Sequence, residues 1–369
     1  MKKKISVLLA TVFAFSMLSG CANKGETTPA ANNDKPAATE PAKNNENTKT
    51  EGNIVKLGLG HITSISKSKD LETGKGALGQ VDTSLVAAGF DKDGKVVSIT
   101  IDNAQTKVEF NDDLSLKTDV KAAGQTKVEL KDKYGMIKGS KIQKEWYQQA
   151  EALEKWMVGK TVDEITSMKT KKVNDEHPQV PDVPELTSSV TINVGEYIEA
   201  VEEAYKNAID VTGGVKVGLG HEISSAKSTG LNGDKTPLAQ VDTSLVAAAF
   251  DKDGKVVGAI IDSAQTKVPF DKNGKITVDK TAPQQTKVEL KDKYGMIKGS
   301  KIQKEWYQQA EALQKWMVGK TVDEITSMKT KKVNDEHPQV PDVPELTSSV
   351  TINVGEYLAA LKEAYTNAK

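Results

Sequence analysis

The chain carries one sequence twice. Val55-Lys-Leu-Gly-Leu-Gly-His61 returns as Val215-Lys-Val-Gly-Leu-Gly-His221, and the offset of 160 positions then holds without a gap to the end of the sequence. Gln125 to Tyr197 matches Gln285 to Tyr357 with a single change, Glu154 to Gln314. A 369-residue chain is too long for one ordinary domain and suits two. The repeat therefore predicts two copies of one fold, residues 55–210 and 215–369.

Within each copy the hydrophobic period changes once. Val81 to Phe90 and Lys95 to Asp102 alternate around the turn Asp91-Lys-Asp-Gly94, which predicts a β-hairpin; short strands near Val55 and Gln125 would widen it into an antiparallel sheet. Ile142, Trp146, Ala150, Leu153, Trp156 and Met157 follow at helical spacing and stop at Gly159. Thr161 with Glu164 reads as the capping box of a second, short helix. A Pro-rich loop, Pro178 to Pro184, leads into Glu185-Leu-Thr-Ser-Ser-Val-Thr-Ile-Asn-Val-Gly-Glu-Tyr197, repeated residue for residue from Glu345 to Tyr357. Asn193 with Glu196 reads as another cap, followed by the stripe Tyr197, Ile198, Val201, Ala204 and Tyr205. Strands first and helices after define the α+β class.

The hydroxyls Thr187, Ser188, Ser189 and Thr191 admit two readings. They cap the turn before a helix, or they sit where a helix N-terminus favours a phosphate. Fifty basic against fifty-one acidic residues leave a net charge of −1, and aromatics make up only 5%. Neither figure fits a nucleic-acid binder. No arginine occurs, so an anion must be held by Lys, hydroxyl or backbone N–H groups rather than by a guanidinium fork. The single cysteine, Cys21, removes disulfides, Cys-ligated metals and a thiol nucleophile from the folded part. His61, His177, His221 and His337 show no ligand spacing, so no metal site is expected. Asp91, Asp93 and Gly94 lack the remaining ligands of a calcium loop and read as a turn.

Residues 1–20 have the form of an export signal, with Lys2 to Lys4 followed by an apolar run from Ile5 to Leu18. Leu18-Ser-Gly-Cys21 resembles the bacterial lipobox, which implies that Cys21 is lipidated and anchors the chain to membrane lipid. Residues 21–54, rich in Ala, Pro, Asn, Thr, Lys and Glu, read as a disordered linker.

Lys131-Asp-Lys-Tyr134-Gly-Met136, Lys144-Glu-Trp-Tyr147 and the Thr191 stretch, taken with the lipobox, linker and repeats, resemble the FMN-binding-domain lipoproteins of Gram-positive flavin-based extracellular electron transfer. In that family a flavin transferase joins FMN through its phosphate to a Thr near Asp-x-x-Ser-Gly-Ala-Thr. The matching positions are Glu185, Ser188, Ser189, Val190 and Thr191, with Glu345, Ser348, Ser349, Val350 and Thr351 in the second copy; Glu stands for Asp, Ser for Gly and Val for Ala. A rival register, Glu164-Ile-Thr-Ser-Met-Lys-Thr170, follows a helix and so faces the unfavourable end of its dipole.

The resemblance implies covalent FMN at Thr191 and Thr351, two per chain, with Tyr134, Met136, Tyr294 and Met296 as flavin contacts. Trp146 and Trp156 read as core. The family's role implies an electron carrier rather than an enzyme, on the outer face of the cytoplasmic membrane. Its electrons would come from a membrane quinone/NADH dehydrogenase system and pass to extracellular acceptors such as ferric iron and flavins. Two other readings stay open: a surface binding or adhesion lipoprotein with a non-covalent ligand, and a peptide-pheromone precursor acting through its signal peptide.

Overall fold

The computed structural model describes residues 53–369; the signal segment, Cys21 and the linker as far as residue 52 lie outside the described residues. In the first repeat the turn chemistry is local. The Asp91 carboxylate accepts the N–H groups of Asp93 and Lys95 at 2.9 Å, and Gly94 takes the left-handed φ of 74° that closes the turn. It joins strands β3 (Gly76–Phe90) and β4 (Val96–Phe110), paired from Ala77 opposite Phe110 to Phe90 opposite Val96. The hairpin is thus longer at both ends than the alternation indicated. Strand β1 (Ile54–Ser64) pairs the other edge of β3, and β2 (Lys69–Glu72) pairs its beginning. The strand expected near Gln125 is replaced by one bridge, Ala104 to Thr126, because Thr126 and Glu129 form a capping box that starts the helical turn α1 (Lys127–Leu130).

Helix α2 runs Trp146–Met157 and excludes Ile142, since Gln143 has φ 54° and the Glu145 N–H is taken by the Gln148 side chain at 2.9 Å. The expected capping box at Thr161 forms and opens α3 (Val162–Thr166). Two short strands, β5 (Thr170–Lys171) and β6 (Val180–Pro181), pair with each other, and α4 (Gly195–Lys206) ends the repeat. Strand β7 (Ile209–Gly214) returns to β1, giving the order β4-β3-β1-β7. The second repeat gives β8 (Lys216–Ser224), β9 (Leu238–Phe250), β10 (Val256–Pro269), α5 (Lys287–Leu290), α6 (Trp306–Met317), α7 (Val322–Thr326), β11 (Thr330–Lys331), β12 (Val340–Pro341) and α8 (Gly355–Thr366), with sheet order β10-β9-β8. All pairings are antiparallel, and the fold is α+β. Among the described residues no helix is long and apolar enough to cross a membrane.

Each sheet is buried on both faces. On one face lie the helices: Val86, Ala88 and Phe90 of β3 join Trp146, Leu153, Tyr197 and Val201 in one core. The Gly-Leu-Gly of β1 is the seat of α4, because a Cβ on Gly58 would fall 2.1 Å from Ala204 O, and one on Gly60 would fall 1.8 Å from Ala200 O. Only glycine lets the helix backbone approach so closely. On the other face lies the other repeat. Leu57, Leu85 and Ala87 pack with Val217, Leu245 and Ala247, while Phe110 meets Phe270 edge-on at 5.2 Å. Backbone bonds across this contact are reciprocal: Leu71 N–H donates to Gly274 O at 2.8 Å and Leu231 N–H to Leu114 O at 2.9 Å. Residues 53–369 accordingly lie in one unit, an internal counterpart of a two-fold dimer.

Buried charge follows the same contact. At His61 burial lowers the imidazole pKa, but the Asp262 hydrogen bond and the charges of Glu203, Asp262 and Glu289 outweigh it and hold the group at about 9. The sole difference between the copies in the Gln125–Tyr197 block also has its reason here. Glu154 accepts the Ile101 N–H at 2.7 Å, and its second oxygen takes the Lys369 ammonium at 2.5 Å. Gln314 makes the same bond to Ile261 at 2.6 Å, but the position matching Lys369 is Ile209, which offers no cation. A neutral amide keeps the bond without leaving a buried carboxylate unpaired. Gln314→Glu is therefore expected to cost about 1–3 kcal/mol in urea unfolding at pH 7. An added Ile209→Lys should recover part of that loss.

Candidate functional site

Burial alternates along the segment leading to α4. Val190, Ile192 and Val194 turn into the core, at 0%, 7% and 0% exposure, and leave Thr191 and Asn193 half-buried on the other side. The Thr191 N–H and hydroxyl both donate to Gln149 Oε1, at 2.8 and 3.2 Å. Gln149 is wholly buried, and its amide donates to Lys144 O at 3.2 Å and Ser140 Oγ at 3.4 Å. Thr351 and Gln309 repeat this arrangement at 2.7 and 3.2 Å. The glutamine escaped the sequence reading, although a signal existed. Position 149 lies on the apolar stripe of α2, between Trp146 and Leu153, where a polar residue must have an internal partner.

The expected cap of α4 is not made. Val194 stands at the cap position with no side-chain bond; Asn193 Oδ1 instead accepts the Gln179 N–H at 2.9 Å, and Glu196 accepts the Ser84 hydroxyl at 2.8 Å. Asn193 therefore ties down the preceding loop, because Val194 N–H also donates to Gln179 O at 2.9 Å. Thr191 lies four residues ahead of the first helical residue, and its hydroxyl is held by Gln149 rather than by helix N–H groups.

Thr191 lines a cavity of about 470 Å³ whose wall is largely apolar, formed by Met136, Val173, Val180, Pro181, Val190 and Ile192. Lys141 and Lys171 add two cations, and His177 lies on the same wall, with its N–H and Nδ1 at 2.8 and 3.0 Å from Asn174 Oδ1. Met136 is held there because Glu145, itself 2% exposed, accepts the N–H groups of Met136 and Ile137 at 2.8 and 3.0 Å. Met296 is held by Glu305 in the same way.

The remaining sequence candidates lie elsewhere. Ser188 is exposed, Ser189 donates to Leu186 O at 3.3 Å within its turn, and neither lines the cavity. Ser348 is likewise exposed, and Ser349 donates to Leu346 O at 3.3 Å. Thr170 pairs in β5 with Pro181 and does not line the cavity, although its neighbour Lys171 does. Tyr134 lines a separate, smaller cavity with Lys107, Lys127 and Lys133. Tyr294 donates its hydroxyl to Gln265 Oε1 at 3.2 Å. Trp146 is core, edge-on to Tyr197 at 5.9 Å, whereas Trp156 is partly buried beneath Lys160.

Lys127 is the electrostatic anomaly of this region. Its ammonium lies 5.0 Å from the Tyr134 ring centre and 5.4 Å from that of Trp146, and burial pushes its pKa down to about 8. Lys287 repeats this, also at about 8. Between pH 8 and the unfolded value of 10.5 the unfolded chain binds the proton and the folded chain does not, so stability rises with pH across that window. Lys127→Met is expected to raise stability at pH 7 by about 1–3 kcal/mol. In denaturant titrations the gain should shrink as pH rises towards 10.5.

Comparison with protein-family models, with curated proteins and with solved structures finds no match to this chain.

Proposed function

We propose that the chain is a lipid-anchored extracellular electron carrier with FMN joined to Thr191 and Thr351 through phosphoester bonds. The observation that carries this reading is the placement of the Thr191 hydroxyl, aimed by a buried glutamine, on the wall of a largely apolar cavity of about 470 Å³. That volume is within the usual range for a small-molecule site. Attachment would replace the Oγ–H proton and give up its bond to Gln149, while the Thr191 N–H donated to Gln149 would still hold the residue at the wall.

The residues fit the group. The apolar wall from Met136 to Ile192 suits a flat aromatic ring, and Lys141 can neutralise a phosphate in a chain that has no arginine, while Lys171 is paired with Asp182 at 2.9 Å. Thr191 and Met136 share one wall, while Tyr134 lines another cavity. FMN, when bound, supplies one- and two-electron transfer. The protein's part is to hold the ring, exclude water from one side and keep the group from being lost to a dilute exterior. Cys21 and the linker would hold the folded unit to the outer face of the membrane, within reach of a quinone/NADH dehydrogenase system. Ferric iron and soluble flavins would be the acceptors, and a flavin transferase would attach the group.

Intact mass and visible absorbance of the chain exported together with a flavin transferase test this. The wild type should carry two FMN groups, Thr191→Val and Thr351→Val one each, and the double variant none. Gln149→Leu should lower loading at Thr191 while leaving Thr351 filled. A colourless wild type of unmodified mass would replace the carrier by the surface-binding reading, and label that persists in the double variant would move the attachment site away from these threonines.

A further inference from the structure

Two histidines are buried where the repeats meet, away from the Thr191 cavity. His221, on β8, donates its backbone N–H to Glu363 Oε2 of α8 at 2.7 Å, and its Nδ1 lies 3.3 Å from the same oxygen. Its Nε2 carries a proton donated to Glu129 Oε2, 3.2 Å away on α1 of the other repeat; this oxygen also accepts the Thr126 N–H at 2.8 Å. Two carboxylates thus bracket one buried imidazole, and a metal ion entering here would take the place of the Nε2 proton. Asp102, 5% exposed, adds a further negative charge acting on His221.

We propose that Glu129, His221 and Glu363 form a site for a first-row divalent transition-metal ion that bridges the two repeats. One ligand atom from each lies within 4.8 Å of the others. In a shell with metal–ligand bonds of about 2.1 Å, adjacent ligand atoms stand roughly 3.0–3.4 Å apart, which the separation of Nε2 and Glu129 matches. His221 Nε2 and Glu129 bind the ion directly, while Glu363 orients the ring from behind through Nδ1. Imidazole nitrogen with carboxylate oxygen suits zinc or manganese better than calcium or magnesium. The Glu129 side chain is 39% exposed, so water has access to the remaining positions.

The sequence offered no ligand spacing because the partners of His221 stand 92 and 142 positions away. The related cluster at His61 is looser. Its Nε2 lies 3.4 Å from Asp262 Oδ2, which also takes the Thr286 hydroxyl at 2.7 Å, and 3.7 Å from Glu203 Oε1. The His221 site is therefore the tighter of the two.

The test is elemental analysis and calorimetric titration of the full chain, stripped with EDTA, with zinc chloride and then manganese chloride, alongside thermal melts. One ion per chain should bind the wild type with a rise in melting temperature. His221→Gln and Glu129→Gln should each weaken binding at least about tenfold while keeping the wild-type circular dichroism in EDTA. His177→Ala with His337→Ala, which removes only the half-buried imidazoles outside this cluster, should leave binding intact. A folded wild type that takes up neither ion would overturn the proposal and leave a proton as the bridging cation. Loss of binding in the His177 and His337 variant would also overturn it, by showing capture away from this cluster.

Discussion

The burial of both faces of each sheet is the constraint on which the rest depends. A sheet with helices on one side still presents apolar residues on the other, here Leu57, Leu85 and Ala87 with Phe110, and these share their clusters with residues of the other repeat. The second repeat supplies an equivalent surface, and the two close on each other with reciprocal bonds such as Leu71 to Gly274 and Leu231 to Leu114. Duplication of the sequence is thus also duplication of the binding face.

The same closure governs where charge is tolerated. Glu154 is acceptable because Lys369 reaches it from the other repeat, and Gln314 replaces it where Ile209 stands instead. His61 and His221 each face acidic residues of the opposite repeat. Lys127 and Lys287 are the counterexample, cations set over aromatic rings rather than against carboxylates. Buried charge is thus met in two ways, by ion pairs at the repeat contact and by aromatic rings at Lys127 and Lys287.

The Thr191 region is built on a different principle. Its rigidity comes from polar groups that the core forces to find partners: Gln149 takes both donors of Thr191, Glu145 takes the two N–H groups at Met136 and Ile137, and Asn193 takes the Gln179 N–H. Gln149 and Glu145, both buried, thereby hold Thr191 and Met136 on the cavity wall. The hydroxyl is therefore held from within the protein, on a wall it shares with Met136 and Ile192.

Much of this was legible in the chain itself. The gapless repeat, the Asp91 to Gly94 turn, the Thr161 capping box and the stripe of α2 are local patterns, set by turn geometry and by periods of two and 3.6 residues. The α+β class follows from their order. What local pattern could not supply is contact between distant positions. Asn193 looks like a helix cap until Gln179 is found beside it, Ser188 and Ser189 look like part of the site until their turn carries them off the cavity, and Gln149 and Thr191 meet across 42 positions. Packing decides these partners, because a buried polar atom bonds to whatever donor or acceptor the fold brings within reach, however far away it lies in the sequence.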